Sequence, residues 1–143
     1  MSIEGLLIIG VCFLAFLFVI LIKFDSICIH IDYYFSCIRE IAKHTPELAK
    51  LIVNSGGAAA LVDYVSEAQG NNKLPGIMAL GYISAFSETL ALAVIVSKGI
   101  APLKDALVSE PEDHIKAACA WTLGQVGRHT PDHARALAEG DVL

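Results

Sequence analysis

His129 and His133 stand four residues apart, a spacing at which two imidazoles on one helix face could share a metal ion. The residues between them, Thr130-Pro131-Asp132, read as a helix cap, so the pair straddles a helix start and does not lie within one helix. A zinc protease needs a glutamate directly after the first histidine, and no cysteine or carboxylate is spaced to complete a tetrahedral set. His44 recurs at the same place in an internal repeat as His129, which favours a structural role near a helix C-terminus. No metal site is expected.

Glu110, Glu112 and Asp113 could be imagined as paired carboxylates for acid–base work. They fall in a loop that opens a helix, where negative charge complements the helix dipole. Gly124 and Gly127 make no phosphate loop, because no strand precedes them and no Gly-Lys-Ser/Thr follows. Inside a helix they would instead allow close helix contact, at a cost of about 1 kcal/mol each. No serine or cysteine carries a nucleophile motif. Cysteines 12, 28, 37 and 119 are scattered without a Cys-x-x-Cys pair, so a disulfide framework is not expected and a reducing compartment suits the repeats. The chain is expected to be no enzyme and to take no cofactor.

The elements that hold these residues follow a repeat. Ile38-Arg39-Glu40-Ile41-Ala42-Lys43-His44-Thr45-Pro46 returns at Leu80–Glu88 and again at Leu123–Pro131, offset by 42 and then 43 residues. Such a period belongs to stacked helical repeats, in which each unit buries its apolar face only against its neighbours. In the first unit Thr45 caps a short helix opened by Pro46, Ser55-Gly56-Gly57 breaks it, and Ala58–Ala68 forms a second helix. Leu74-Pro75-Gly76 opens a third helix carrying Ile77, Leu80 and Ile83. In the second unit Ser87 caps Glu88–Val96, and Gly99 supplies the left-handed stop. Ile100–Val108 follows, and a third helix presents Ile115, Cys119, Thr122 and Val126 on one stripe. Pro131–Ala138 begins a third, shortened unit, whose second helix would start at Val142.

The predicted architecture is therefore all-α: about two and a half three-helix units, 38–79, 80–122 and 123–143, preceded by an apolar N-terminal helix within 1–37. Upstream of Ile38 the register is expected to be lost, since Ile29–Phe35 is aromatic and β-branched, unlike Ile115–Ala118. Stacks of this kind need about three units for stability. Residues 38–143 alone are thus expected to be helical, loosely packed and prone to self-association.

Composition sharpens the partner class. Apolar residues make up 55% of the 143-residue chain and charged residues 17%. Much of the excess sits in residues 5–22, GLLIIGVCFLAFLFVILI, which hold no charge. As a helix this run would span about 27 Å, just enough to cross a hydrocarbon core of about 30 Å. A basic n-region and a small-residue cleavage site are both missing, so an uncleaved membrane anchor fits better than a signal peptide. Residues 38–143 carry nine Lys/Arg and twelve Asp/Glu without a basic stripe, which argues against nucleic acid.

The runs IREIAKHTPEL (38–48), LPGIMALGYISA (74–85), AVIVSKG (93–99) and EPEDHIKAACAWTLGQVGRHTPDHARA (110–136) resemble the armadillo proteins of the axonemal central pair, the sperm-associated antigen six family. The likeness is spread over 38–143 and includes none of the first 37 residues. It implies a right-handed armadillo solenoid acting as a non-enzymatic scaffold of the cilium or flagellum. Its partners would be axonemal or microtubule-associated proteins. Ala120–Gln125 also resembles the armadillo third helix, where a Trp and an Asn four residues later line a concave groove. By that resemblance Trp121 and Gln125, with Met78 and Tyr82 one unit earlier, would line the groove. Gln125 and Tyr82 stand where the Asn is usual, which weakens clamping of a peptide backbone. Arg128 joins them as a fifth candidate, because aromatic and Arg side chains are favoured interface anchors. Trp121 has a second reading, as a residue packed between units. Two further readings of the whole chain are a membrane-tethered armadillo adaptor anchored by residues 5–22, and a truncated product with little independent function.

Overall fold

A computed structural model describes residues 27–140 and residue 142, with side chains from residue 31 onward. Among the described residues it contains eight α-helices: α1 (Ile27–Ala42), α2 (Pro46–Asn54), α3 (Gly57–Glu67), α4 (Leu74–Phe86), α5 (Glu88–Val96), α6 (Ile100–Ser109), α7 (Asp113–Gly127) and α8 (Pro131–Glu139). A 3-10 turn, Gly70–Lys73, leads into α4.

The repeat period is written into the helix starts. Thr45 accepts a hydrogen bond from the Leu48 N–H at 3.2 Å, Ser87 from Leu90 at 3.3 Å and Thr130 from His133 at 3.2 Å. Each hydroxyl satisfies one of the donors that a helix N-terminus leaves open, worth about 1 kcal/mol apiece. These caps start α2, α5 and α8, the short first helices of successive units. The units are α2–α3–α4 and α5–α6–α7, with α8 opening a third.

The third helices form the inner layer, where α4 lies between α1 and α7. Its Ile77, Leu80 and Ile83 are fully buried, as are Ile115, Cys119, Thr122 and Val126 of α7. Leu61 and Val65 of α3, Val94 of α5 and Leu103 of α6 close the core from the outer side. Because both faces of α4 are covered, it is apolar all round and has no polar stripe.

Upstream of Ile38 the register is kept, contrary to expectation. α1 runs unbroken from Ile27 through Ala42 and packs against α4 on the side opposite α7, in the place a third helix takes in this stack. The boundary expected between residues 37 and 38 thus falls inside a helix. Phe35 is buried and stacks on Tyr64 with ring centroids 3.8 Å apart. The Tyr64 hydroxyl lies 2.6 Å from both the Asp32 carboxylate and the Asn72 carbonyl. Aromatic and β-branched residues are modest helix formers, but burial against a neighbouring helix outweighs propensities of a few tenths of a kcal/mol.

The stop between α5 and α6 also departs from the sequence reading. Lys98, not Gly99, takes the left-handed conformation, with φ 63°, while its repeat equivalent Gly56 has φ 83°. Gly99 is held instead by crowding, since a Cβ there would sit 2.8 Å from Val94 Cγ1.

Among the described residues no single helix is long and apolar enough to cross a membrane. The anchor expected at residues 5–22, and the second helix expected from Val142, lie outside the helices described.

Candidate protein-binding groove

The third helices expose one concave edge, and a cleft of about 570 Å³ opens there. Its lining comes from three successive units: Arg39 and Glu40 of α1, Leu74, Met78 and Tyr82 of α4, and His114, Ala118 and Trp121 of α7. Met78, Tyr82 and Trp121 therefore come together as three of the five candidate residues. Gln125 and Arg128 are absent from the lining.

The aromatic floor is fixed by inter-unit packing. Tyr82 and Trp121 meet edge to face, with ring centroids 5.3 Å apart and planes inclined at 68°. This geometry sets the positive edge of one ring against the negative face of the other. Beside them Trp121 lies directly against Gly81, where any Cβ would collide with the indole. The missing side chain also admits Thr122, whose hydroxyl donates to the Ile77 carbonyl at 3.0 Å. Trp121 is thus at once a packing residue between units and a wall of the cleft.

Arg128 is spent on the scaffold. Its guanidinium donates to the Ala85 carbonyl at 2.6 Å, and the His129 ring nitrogen Nε2 lies 2.6 Å from the Ser84 carbonyl. Both carbonyls belong to the last turn of α4, whose oxygens have no partner within their own helix. Two side chains from the next unit therefore cap the preceding third helix. His133 is buried, with its ring 6.3 Å from that of His129, so the two histidines pack across the start of α8.

Charge is distributed unevenly along the groove. At the α1 end Glu40 pairs with Arg39 at 2.7 Å and with Lys43. Hydrogen bonds from Lys43, and then from Arg39, hold the Glu40 carboxyl below the usual carboxylate range. Two cations around one carboxylate leave a net positive rim. At the α7 end His114 reaches Asn71 of the preceding unit at 2.5 Å, and Glu112 lies 3.4 Å from its other ring nitrogen. Asp113 occupies the first turn of α7, as its place in the sequence suggested. Glu110 has a different role: it is buried and paired with Lys73 at 3.1 Å, tying the loop before α7 to the turn before α4.

Arg39, Glu40, Leu74, His114 and Ala118 were missed by motif reading. Glu40 was reachable by stepping one period back from Tyr82, since the two are 42 residues apart. His114 carried no such signal, because its groove position depends on the bridge to Asn71.

No family model matches the chain. A stretch of 41 residues, 29% of the chain, is 66% identical to sperm-associated antigen 6 of Homo sapiens and, equally, to that of Mus musculus. That is shorter than the span over which the resembling runs are spread, and it covers 8% of those relatives. Among solved structures, a designed armadillo repeat protein in complex with the peptide (KR)4 superposes with a TM-score of 0.78 at 17% identity, covering 83% of this chain and 49% of that one. A second designed armadillo repeat protein gives 0.78 at 14% identity, covering 83% of this chain and 50% of that one. The fold is that of the armadillo-repeat proteins, and one segment is closely similar to sperm-associated antigen 6.

Proposed function

We propose that this chain is a non-enzymatic scaffold that binds an extended segment of a partner protein along α1, α4 and α7, in the axoneme of a cilium or flagellum. The observation that carries the binding mode is the cleft itself, lined from three successive third helices and floored by Met78, Tyr82 and Trp121. An aromatic pair with an Arg at its edge is the composition favoured at protein-interaction hot spots. Support for the mode comes from the fold shared with a designed armadillo protein that holds a peptide. Support for the axonemal setting comes from the 41-residue likeness to sperm-associated antigen 6.

Trp121 is the sole tryptophan of the chain, so its emission reports groove occupancy directly. Titration with extended peptides drawn from axonemal proteins is expected to shift that emission saturably. Co-sedimentation with purified axonemes tests the setting independently. A tryptophan signal unmoved by every peptide, with no axonemal sedimentation, overturns the proposal.

The uncharged run at residues 5–22 favours a membrane-tethered form of the same scaffold. Retention of the full chain on membranes through a carbonate wash would establish it.

A further inference from the structure

Of the serines and threonines in the chain, Ser109 alone has a carboxylate three residues after it. The run is Ser109-Glu110-Pro111-Glu112-Asp113, with acid at the first, third and fourth positions beyond the hydroxyl. Ser109 is the last residue of α6 and is exposed, as are Pro111, Glu112 and Asp113. The backbone leaves the helix at once: Glu110 has φ −72° and ψ 134°, and Glu112 has φ −90° and ψ 122°. The hydroxyl therefore stands at the start of an extended, solvent-facing acidic segment. It donates to the Asp105 carbonyl at 2.6 Å, a bond in the last turn of a helix, where local opening costs least.

Glu110 departs from its exposed neighbours. Its side chain is 10% exposed and pairs at 3.1 Å with Lys73, which is 11% exposed. Lys73 closes the turn before α4, and the same turn holds Asn71, the partner of His114. The first unit shows what negative charge does at this place without such a pair. There α3 ends at exposed Glu67, 42 residues before Ser109, and Ala68 follows it. Charge at this helix end is thus compatible with the fold. In the second unit it falls beside a buried ion pair.

We propose that Ser109 is a phosphorylation site for a protein kinase with a basic substrate groove, and that the phosphate releases the loop between α6 and α7 from the turn before α4. Charge selects the kinase class, since exposed Glu112 and Asp113 match a basic groove. A proline-directed kinase finds no Pro directly after Ser109, and a base-directed one finds no Lys or Arg among the three residues before it. In the transfer the Ser109 oxygen attacks the γ-phosphorus of ATP and the bond from that phosphorus to the bridging oxygen breaks. The hydroxyl proton passes to a base of the kinase, and ADP leaves. The ester can no longer donate to the Asp105 carbonyl, and it places about two negative charges at the negative end of the α6 dipole. It also stands next to Glu110 and competes for Lys73. Without Lys73, Glu110 is a buried charge lacking its partner, so it turns to water and the loop detaches. His114, on the α7 edge of the cleft, then loses its hold on Asn71.

Incubation of the full chain with casein kinase II and ATP tests both halves. The chain is held in mild detergent to cover residues 5–22, and its folding is checked by circular dichroism. Its intact mass is expected to rise by one phosphate, mapped to Ser109 by fragmentation, whereas protein kinase A leaves Ser109 unmodified. Ser109→Ala is expected to take up no phosphate. Glu112→Gln, which keeps the hydroxyl and removes one exposed charge, is expected to slow incorporation about tenfold. In the phosphorylated chain, amide exchange over 70–73 and 110–114 is expected to quicken about tenfold, while the interior of α4 is unchanged. Failure to modify the folded chain overturns the proposal, as does phosphate on other residues alone or modification of Ser109 only after heat denaturation. Phosphate on Ser109 with unaltered exchange in both segments overturns the release of the loop.

Discussion

The Trp121 indole rests on the bare Cα of Gly81 one repeat earlier, with a Cβ at that glycine excluded by ring carbon Cε3 at 2.8 Å and by Thr122 Oγ1 at 2.7 Å. Gly124 occupies the same place in the next unit and faces open space. One residue type at one repeat position thus does two different things. Gly81→Ala is expected to lose about 1–3 kcal/mol through overpacking. Gly124→Ala is expected to gain about 1 kcal/mol from helix propensity alone. Chemical denaturation of the two variants checks the opposite signs.

Lys98 holds a left-handed backbone that its repeat equivalent assigns to a glycine. Relief of that strain predicts that Lys98→Gly raises stability by about 0.5–1 kcal/mol, since a side chain there costs more than the glycine's added freedom in the unfolded chain. A higher melting temperature at unchanged helix content is the expected reading.

His129 reaches the carbonyl of buried Ser84, whereas its repeat equivalent His44 is exposed. His129→Leu is therefore expected to cost about 1–3 kcal/mol by leaving a helix-end carbonyl unpaired. In dilute solution His44→Leu is expected to stay within about 0.5 kcal/mol of the parent. Equal losses in the two variants would show that the inter-unit cap contributes nothing.

Groove and scaffold roles separate by mutation. Tyr82→Ala is expected to weaken peptide binding about tenfold, or about 1.4 kcal/mol, while leaving helix content intact. Arg128→Ala is expected to leave affinity within about twofold and to lower stability, because its guanidinium caps α4 outside the cleft. Calorimetric titration and thermal melts read the two effects independently.

Burial pushes the Cys119 thiol up to about 11; Lys73 opposes the shift and Glu110 adds to it. The folded state therefore keeps a proton that the unfolded chain releases near pH 9. Stability contributed by the buried thiol is complete below that pH and is lost as pH rises from about 9 toward 11, by roughly 2–3 kcal/mol. Cys119→Ala is expected to flatten the alkaline limb of the stability profile. At pH 8 the native thiol is expected to resist iodoacetamide until the chain unfolds.

The caps Thr45, Ser87 and Thr130, the Gly56 turn and the buried stripe of α7 were readable in the linear order of residues, whereas the left-handed stop assigned to Gly99 falls on Lys98. Each acts within one turn of its own position, so local chemistry suffices to place helix starts, stops and inward faces. Inter-unit relationships had no such signature. Gly81 and Gly124 look identical along the chain, and only the presence of Trp121 beside one of them separates their roles. Arg128 read as an interface residue because its type suits one, yet its guanidinium donates to the end of α4 and it is absent from the cleft lining. α1 looked foreign because its aromatic residues were weighed by propensity, whereas the stacking of Phe35 on Tyr64 sets its conformation. Periodicity tells which residues are equivalent; the neighbours that fill or leave open the space beside each one are settled when the helices meet, because packing energy depends on contacts 30 to 45 residues away.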